Sequence, residues 1–382
     1  MKNYPLFKVH IDTDSALSQL RDVFESGFIN EGIQVTELTH KLSEILDHKN
    51  LIVVNSGTSA LTLALKLSDV GHGDEVITTA MTCVATNTPI ENLGAKLVWA
   101  DIDPESGSID PLDVARKITS RTKAVMCVAW AGNPCDLSEL NRVCKNAGIS
   151  LIQDAAHAFG AKWNGETIAK HADFTCYSFQ AIKHISCGDG GALVCNDDSK
   201  LKLAKKLKWF GIDREDSKDE KGNWKGQSWS VDIGQGEVGY KFNMNNVSAA
   251  IGLSQIPHLS KILNGHRSNG LLYDKLFSNN SNVVPLKRPA SSDSAFWVYT
   301  VLLKNETINR DELLKKLNAE GIHAGLVHVP NDDYSCWRSH QVELPGVRYF
   351  SSRQISLPVG WWLKAEDVEF IAQRLKELCE VS

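Results

Sequence analysis

No apolar stretch in this sequence reaches the roughly 20 residues that a membrane-spanning helix needs, which predicts a protein without a membrane anchor. There is no basic excess either. The 41 Lys and Arg residues face 46 Asp and Glu, for a net charge of −5, so no field recruits nucleic acid. There is no C-x-x-C pair. The nine cysteines are scattered, which argues against a zinc site and against a disulfide framework, and predicts no metal. Reduced thiols in a cytoplasmic protein are the simpler expectation. No internal repeat and no low-complexity tract occurs. The opening Met1–Pro5 lacks the apolar segment of a signal peptide. What is present is ordinary for a globular protein: 382 residues, 42% hydrophobic and 23% charged. That length suits one two-lobed enzyme or two domains.

From about Ser59 onward, helical patterns alternate with short apolar runs, as an α/β fold requires. Expected strands are Leu51–Val54, Glu75–Thr78, Leu97–Asp101, Ala124–Ala129, Ser150–Gln153, Phe174–Ser178 and Gly191–Cys195. They are apolar with little alternation, which fits a sheet covered on both faces. Ala60–Leu67 and Leu140–Ala147 read as helices, and Gly148 ends the second. Asp213–Lys225 is densely charged and reads as an exposed loop. Asn246–Ile256 is a helix of small residues, and Pro257 follows it. Beyond it, strand Phe296–Leu303 and helices Arg310–Glu320 and Glu366–Leu378 describe a second, smaller unit. The expected division is therefore 1–256 and 257–382.

Four features carry chemistry. Asn55-Ser56-Gly57-Thr58-Ser59-Ala60 stands between a strand and a helix, where free N–H groups and the helix dipole favour an anion; a plain N-cap by Ser56 or Thr58 is the competing expectation. Asp154 follows a strand, where an acid points into the usual ligand crevice of an α/β sheet, although it could equally cap a helix. His157, three residues on, could be a core histidine. Lys183 lies between two strands, where burial would lower its pKa and leave the neutral amine that carbonyl chemistry needs; an exposed lysine is the bland expectation. Gly188-Asp189-Gly190-Gly191 is a glycine turn back into a strand.

The order of these motifs resembles the sugar aminotransferases of the DegT/StrS type. The resemblance runs from Phe28-Ile29-Asn30-Glu31-Gly32 through SGTSAL, Gly73-Asp74-Glu75-Val76-Ile77, DAAHAFGA and SFQAIKHISCGDGG to Gly239-Tyr240-Lys241-Phe242-Asn243-Met244. It implies the type I aminotransferase fold of pyridoxal-phosphate (PLP) enzymes: an α/β large domain with a mostly parallel seven-stranded sheet flanked by helices, plus a smaller C-terminal α+β domain. It implies Lys183 as the Schiff-base and proton-shuttling lysine, Asp154 as partner of the ring nitrogen, and His157 near the ring hydroxyl. Ser178 and the amides of Gly57 and Thr58 would hold the phosphate. Two positions depart from the family pattern. Cys83 stands where an aromatic residue usually covers the cofactor, and Lys241 stands where an Asn usually crosses a dimer interface to the phosphate.

The implied reaction moves an amino group from an amino acid, glutamate being the expected donor, to a keto- or aldehydo-sugar. The product would be an amino sugar for a surface polysaccharide or glycoconjugate. A nucleotide-linked keto-deoxysugar is the expected acceptor. The alternative is a free keto-sugar acid such as an oxidised 3-deoxy-octulosonate, whose carboxylate would need a partner such as Arg214, His323, His328 or Arg348. Intact Lys183 argues against both the family's sugar dehydratases and an inactive PLP-fold regulatory protein. The resemblance also implies a homodimer, with Phe28–Gly32 and Gly239–Asn246 reaching the partner's site.

Overall fold

The computed structural model of the chain describes residues 2–213 and 238–380. The charged stretch from Asp213 to Lys225, beyond Asp213 itself, and the candidate Arg214 lie outside the described residues. Seven strands form one sheet: β1 (Leu51–Val54), β2 (Glu75–Thr79), β3 (Lys96–Ala100), β4 (Thr122–Val128), β5 (Ser150–Asp154), β6 (Phe174–Ser178) and β7 (Gly191–Cys195). Their order is β1-β7-β6-β5-β4-β2-β3. β7 runs antiparallel to both neighbours, and the other pairs are parallel.

The strands are apolar along their whole length because both faces are covered. Leu51, Val53, Val125, Cys127 and Leu151 enter one core, with α2 (Ile33–Ile45), α6 (Leu137–Ala147) and α8 (Asn246–Gln255). Short α5 (Pro111–Lys117) adds Val114 to it. Ile52, Val54, Ala124, Met126 and Ile152 enter the other, with α3 (Gly57–Leu67), α4 (Val84–Asn92) and α7 (Asp198–Leu207). Successive strand residues thus serve opposite faces. α1 (Thr13–Ser26) lies on α8. The nine cysteines are free, and seven of them are buried, where each packs as a small hydrophobe.

A second sheet follows, with β9 (Tyr299–Leu303) between β8 (Val283–Pro285) and β10 (Gln354–Leu357), all antiparallel. It packs with α9 (Leu259–Phe277), α10 (Arg310–Ala319) and α12 (Ala365–Glu380) around Tyr273, Phe277, Tyr299, Leu317 and Ile371. The N-terminal residues join this unit. Tyr4 is buried in its core and bridges to Ile322. α11 (Pro345–Arg353) is capped from the first sheet: the Asp101 carboxylate, just past β3, accepts from the N–H groups of Gly346 (2.8 Å) and Val347 (2.9 Å).

The strand expected to begin at Phe296 begins at Tyr299. Phe296 has a φ of 47°, a left-handed conformation that a bulky side chain adopts only under tertiary constraint. The constraint is visible: Ala295 and Trp297 donate to the carbonyls of Gly132 and Ala131, each at 2.9 Å.

Candidate active site

The site forms at the carboxyl ends of the central strands. Where β1 ends, Ser56 caps α3 by accepting from Ser59 N–H at 3.0 Å. The N-cap expectation therefore holds, and the cap engages the third amide of the helix rather than those of Gly57 and Thr58. Backbone packing explains the glycines nearby. Gly191 pairs with both Val54 and Ser178. A Cβ there would lie 2.6 Å from Gly57 N. A Cβ on Gly57 would lie 2.9 Å from the Cβ of Ser178. Two missing side chains thus bring the start of α3 against Ser178, whose hydroxyl accepts from Gln180 N–H at 3.3 Å. Thr58 at the same helix start is exposed.

Asp154 ends β5 and is buried. Its carboxylate accepts from the Thr86 hydroxyl of α4 at 2.7 Å and from Ala156 N–H at 3.0 Å. Burial raises its pKa, opposed by those two hydrogen bonds and by the charge of Lys183. Thr82 shares a 2.8 Å hydrogen bond with Thr86, so a hydroxyl pair backs the acid.

Lys183 sits in the connection between β6 and β7, half-buried. The connection is closed at its base by Phe179, whose N–H donates to Gly190 O and whose carbonyl accepts from Cys187, both at 2.8 Å. Burial lowers the lysine to about 8, against the opposing charges of Asp154 and Cys83. The Nζ lies 3.8 Å from the centroid of the Trp297 ring. His157 is buried, and its ring stacks on Trp297 at 3.8 Å and 15°. Its Nδ1 is buried without a partner among the described residues. Burial first, then the charge of Lys183, holds His157 well below the usual imidazole range. His328 stacks beyond it, 5.4 Å away, and burial takes it down to about 3. Both imidazoles are therefore neutral at pH 7.

Cys83 is half-buried at the N-cap of α4. It lines a cleft of about 230 Å³ with Val84, Val327, His328, Val329 and Tyr334. Lys241 points elsewhere: its Nζ lies 3.7 Å over Trp209 and donates to Asn243 Oδ1 at 2.5 Å. Its carbonyl accepts from Asn55, beside Ser56. Among the side chains considered for an acidic substrate, Arg348 is bound by Asp332 and Asp333, and His323 is exposed.

Lys183, Asp154, His157 and Cys83 thus interact in one crevice, and Gly57 meets Ser178 nearby. Thr86, Trp297 and His328 complete the walls. Sequence reasoning missed Thr86 and Trp297 and offered His328 for a different task. A hydroxyl one helical turn from Thr82 was the only local signal for Thr86. An amine that titrates near neutrality, next to a buried acid, can capture a carbonyl group and move a proton.

The profile of the DegT/DnrJ/EryC1/StrS aminotransferase family matches residues 10–376. Solved structures agree. AtS13 from Actinomadura melliaura is 35% identical, with 99% of each chain covered and a TM-score of 0.90. The sugar aminotransferase CalS13 from Micromonospora echinospora is 31% identical, over 98% of this chain and 99% of that one, also at 0.90. DesI, solved in the presence of its TDP-sugar product, is 25% identical, over 99% of this chain and 93% of that one, at 0.86.

Proposed function

The chain belongs to the DegT/DnrJ/EryC1/StrS aminotransferase family, a PLP-dependent sugar aminotransferase, and from that premise we propose that it aminates a nucleotide-linked keto-deoxysugar with nitrogen from glutamate, using Lys183 as its cofactor lysine. The observation that carries the reading is the gathering of Lys183, buried Asp154 and the His157–Trp297 stack in one crevice at the strand ends. The TDP-sugar of DesI supports a nucleotide-linked acceptor. The free keto-sugar acid gains no support, because Arg348 is already paired and His328 is neutral.

Three features of the crevice fit the cofactor. The close approach of Gly57 to Ser178 suits a phosphate, which would be held by the amides of Gly57 and Thr58 and by the Ser178 hydroxyl. Asp154 suits a protonated ring nitrogen. The unpartnered Nδ1 of His157 suits the ring hydroxyl. When bound, PLP supplies an electron-withdrawing ring that lets the donor's Cα lose a proton. Asp154, held by hydrogen bonds from Thr86 and Ala156, would face the ring nitrogen and favour a proton there. With the cofactor bound, Lys183 Nζ would be the group that moves the proton, a task for which an amine lowered to about 8 is suited. Cys83 and the cleft beside it form the mouth through which the sugar enters. Lys241, whose amine is turned onto Trp209 and Asn243 and away from Ser178, would serve a phosphate only across a dimer interface, as a point charge.

The reading extends to assembly and context. A division at residues 256 and 257 into a cofactor-binding unit and a small unit is supported by the core around Tyr273, Phe277 and Tyr299, into which Tyr4 of the N-terminal segment also packs. A homodimer is supported by exposed Leu17, Phe24, Phe28, Ile29 and Ile33 on α1, α2 and their link, a run of apolar surface beside the site-bearing unit. The free cysteines suit the cytoplasm, and the product suits surface-polysaccharide or glycoconjugate synthesis.

The test is direct. Purified protein absorbs in the visible and loses the band when glutamate is added; Lys183→Ala lacks both responses. A panel of TDP- and UDP-linked ketosugars against free keto-sugar acids then separates the acceptors. Turnover by the Lys183→Ala protein would sink the assignment.

A further inference from the structure

Trp297 touches Lys183 twice. Its indole N–H donates to the carbonyl of Ile182 at 2.8 Å, the carbonyl of the peptide link that carries Lys183. Its ring lies 3.8 Å under the lysine Nζ. One side chain therefore engages both the backbone and the charged tip of the same residue.

The indole itself is rigidly held. Trp297 is 3% exposed. Its ring is flanked by Phe7 at 4.8 Å and by His157 at 3.8 Å. Its N–H group in the backbone donates to Ala131 O. The chain on both sides of that bond is in the left-handed region, with φ of 54° at Ala131, 98° at Gly132 and 47° at Phe296. A Cβ at Gly132 would stand 2.9 Å from Trp297 N. Backbone strain of this kind persists where the surroundings over-determine it, and it gathers at functional sites. The product of the strain here is the position of one ring.

An aromatic face attracts a cation and does nothing comparable for the neutral amine. We propose that Trp297 is a positioning residue for Lys183: its N–H fixes the peptide link, and its ring face is the resting place of the protonated amine when that amine is not bonded to the cofactor. This rests on the assignment of Lys183 as the cofactor lysine only for its place in the reaction; the contact itself belongs to the folded chain. The ring holds the amine, with its proton, within reach of the crevice between one amino transfer and the next, so that the lysine does not swing to solvent.

The other groups that bear on the amine are known. Asp154 from β5 and Cys83 from the start of α4 favour its charge. His157, His328 and His184 stand near enough to interact with it. Lys8, His10 and His266 line the cleft that Lys183 and Trp297 share. The imidazoles of His157, His328 and His184 are held low by burial.

The experiment is competitive acetylation of the full-length apoprotein with trace acetic anhydride across pH 6–11. The peptide containing Lys183 is quantified by mass spectrometry, which reads its protonation midpoint without any turnover. Wild type, Trp297→Phe and Trp297→Leu are compared. A ring face worth what cation–π contacts usually supply lowers the midpoint by about one pH unit in Trp297→Leu. Trp297→Phe, which keeps a face and loses the N–H, falls by clearly less. If the Leu protein does not fold, the Phe protein still decides: a downward move of a few tenths of a pH unit is expected. Unchanged midpoints, equal falls in Phe and Leu, or an upward move from water entering the vacated space would each overturn the proposal. Failure here leaves the Lys183 assignment intact, since that is tested by the Lys183→Ala spectrum.

Discussion

Gly57→Ala is the substitution that most directly tests how the phosphate cradle is built. Gly57 does not occupy the left-handed region, so alanine fits its backbone, and the whole effect must come from the added methyl. That carbon would stand 2.9 Å from Ser178 Cβ. Carbon pairs rest at about 3.5–4.0 Å, so the start of α3 and Ser178 must separate by roughly 0.6–1.1 Å. Overpacking of this kind costs about 1–3 kcal/mol, which corresponds to about 5- to 150-fold in affinity if the strain is relieved by widening the cradle. The assay is titration of apoprotein with PLP and, in parallel, with pyridoxal, which lacks the phosphate. PLP binding should weaken by that factor while pyridoxal binding changes little. Ser178→Gly removes the opposing carbon along with the hydroxyl, so Gly57→Ala combined with Ser178→Gly should bind PLP no worse than Ser178→Gly alone. Two results would refute the reasoning: unchanged PLP affinity in Gly57→Ala, or equal losses for PLP and pyridoxal.

Thr86→Val keeps the shape and removes a hydroxyl from Asp154. Burial raises the folded-state pKa of Asp154 above its unfolded value, and Thr86 opposes that rise; an acid shifted this way costs stability once pH exceeds its unfolded pKa. The variant should therefore lose about 2 kcal/mol near pH 8, and less as pH falls and Asp154 protonates. Denaturant unfolding at pH 8 and pH 5 checks this, and an equal deficit at both would contradict it. Asp101→Ala strips α11 of the cap that accepts from Gly346 and Val347 and should cost about 1 kcal/mol of stability. Its thermal midpoint should fall while cofactor affinity stays near wild type; a large loss of affinity would mean that α11 shapes the site itself.

The first sheet was readable because each of its strands is buried on both faces. Leu51–Val54 and Ala124–Val128 are apolar without a break, so no alternative period competes with a strand. Lys183, Asp154 and the Ser56–Ser59 turn were readable as an ordered series of motifs, each ambiguous alone. Helix starts were less so. α3 was expected at Ala60, where the leucine pattern begins, yet it starts at Gly57 because a polar cap and a glycine carry no hydrophobic signal. Trp297 was hidden for a different reason. It lies in a run of apolar residues that reads as a strand, and it is as buried as any core aromatic. Only a fold that lays Gly132 against Trp297 turns it toward Lys183. Thr86 and His328 were likewise hidden, since each meets its partner across more than sixty residues of chain.

The sheet order also bears on how the chain is made. β1 is an edge strand whose ladder partner is β7, Leu51 opposite Val194, with one further bridge from Val54 to Asn243. The first strand to leave the ribosome must wait for roughly 140 further residues before its hydrogen-bonding partner exists. At about 5–20 residues per second, that is a delay of order ten seconds. Through that interval Leu51–Val54 is a fully apolar strand with both edges open, shielded only by the helices on either side of it. The nascent protein is therefore most exposed to edge-to-edge association before Gly191 emerges, and a chaperone that binds short apolar segments would find its first target there.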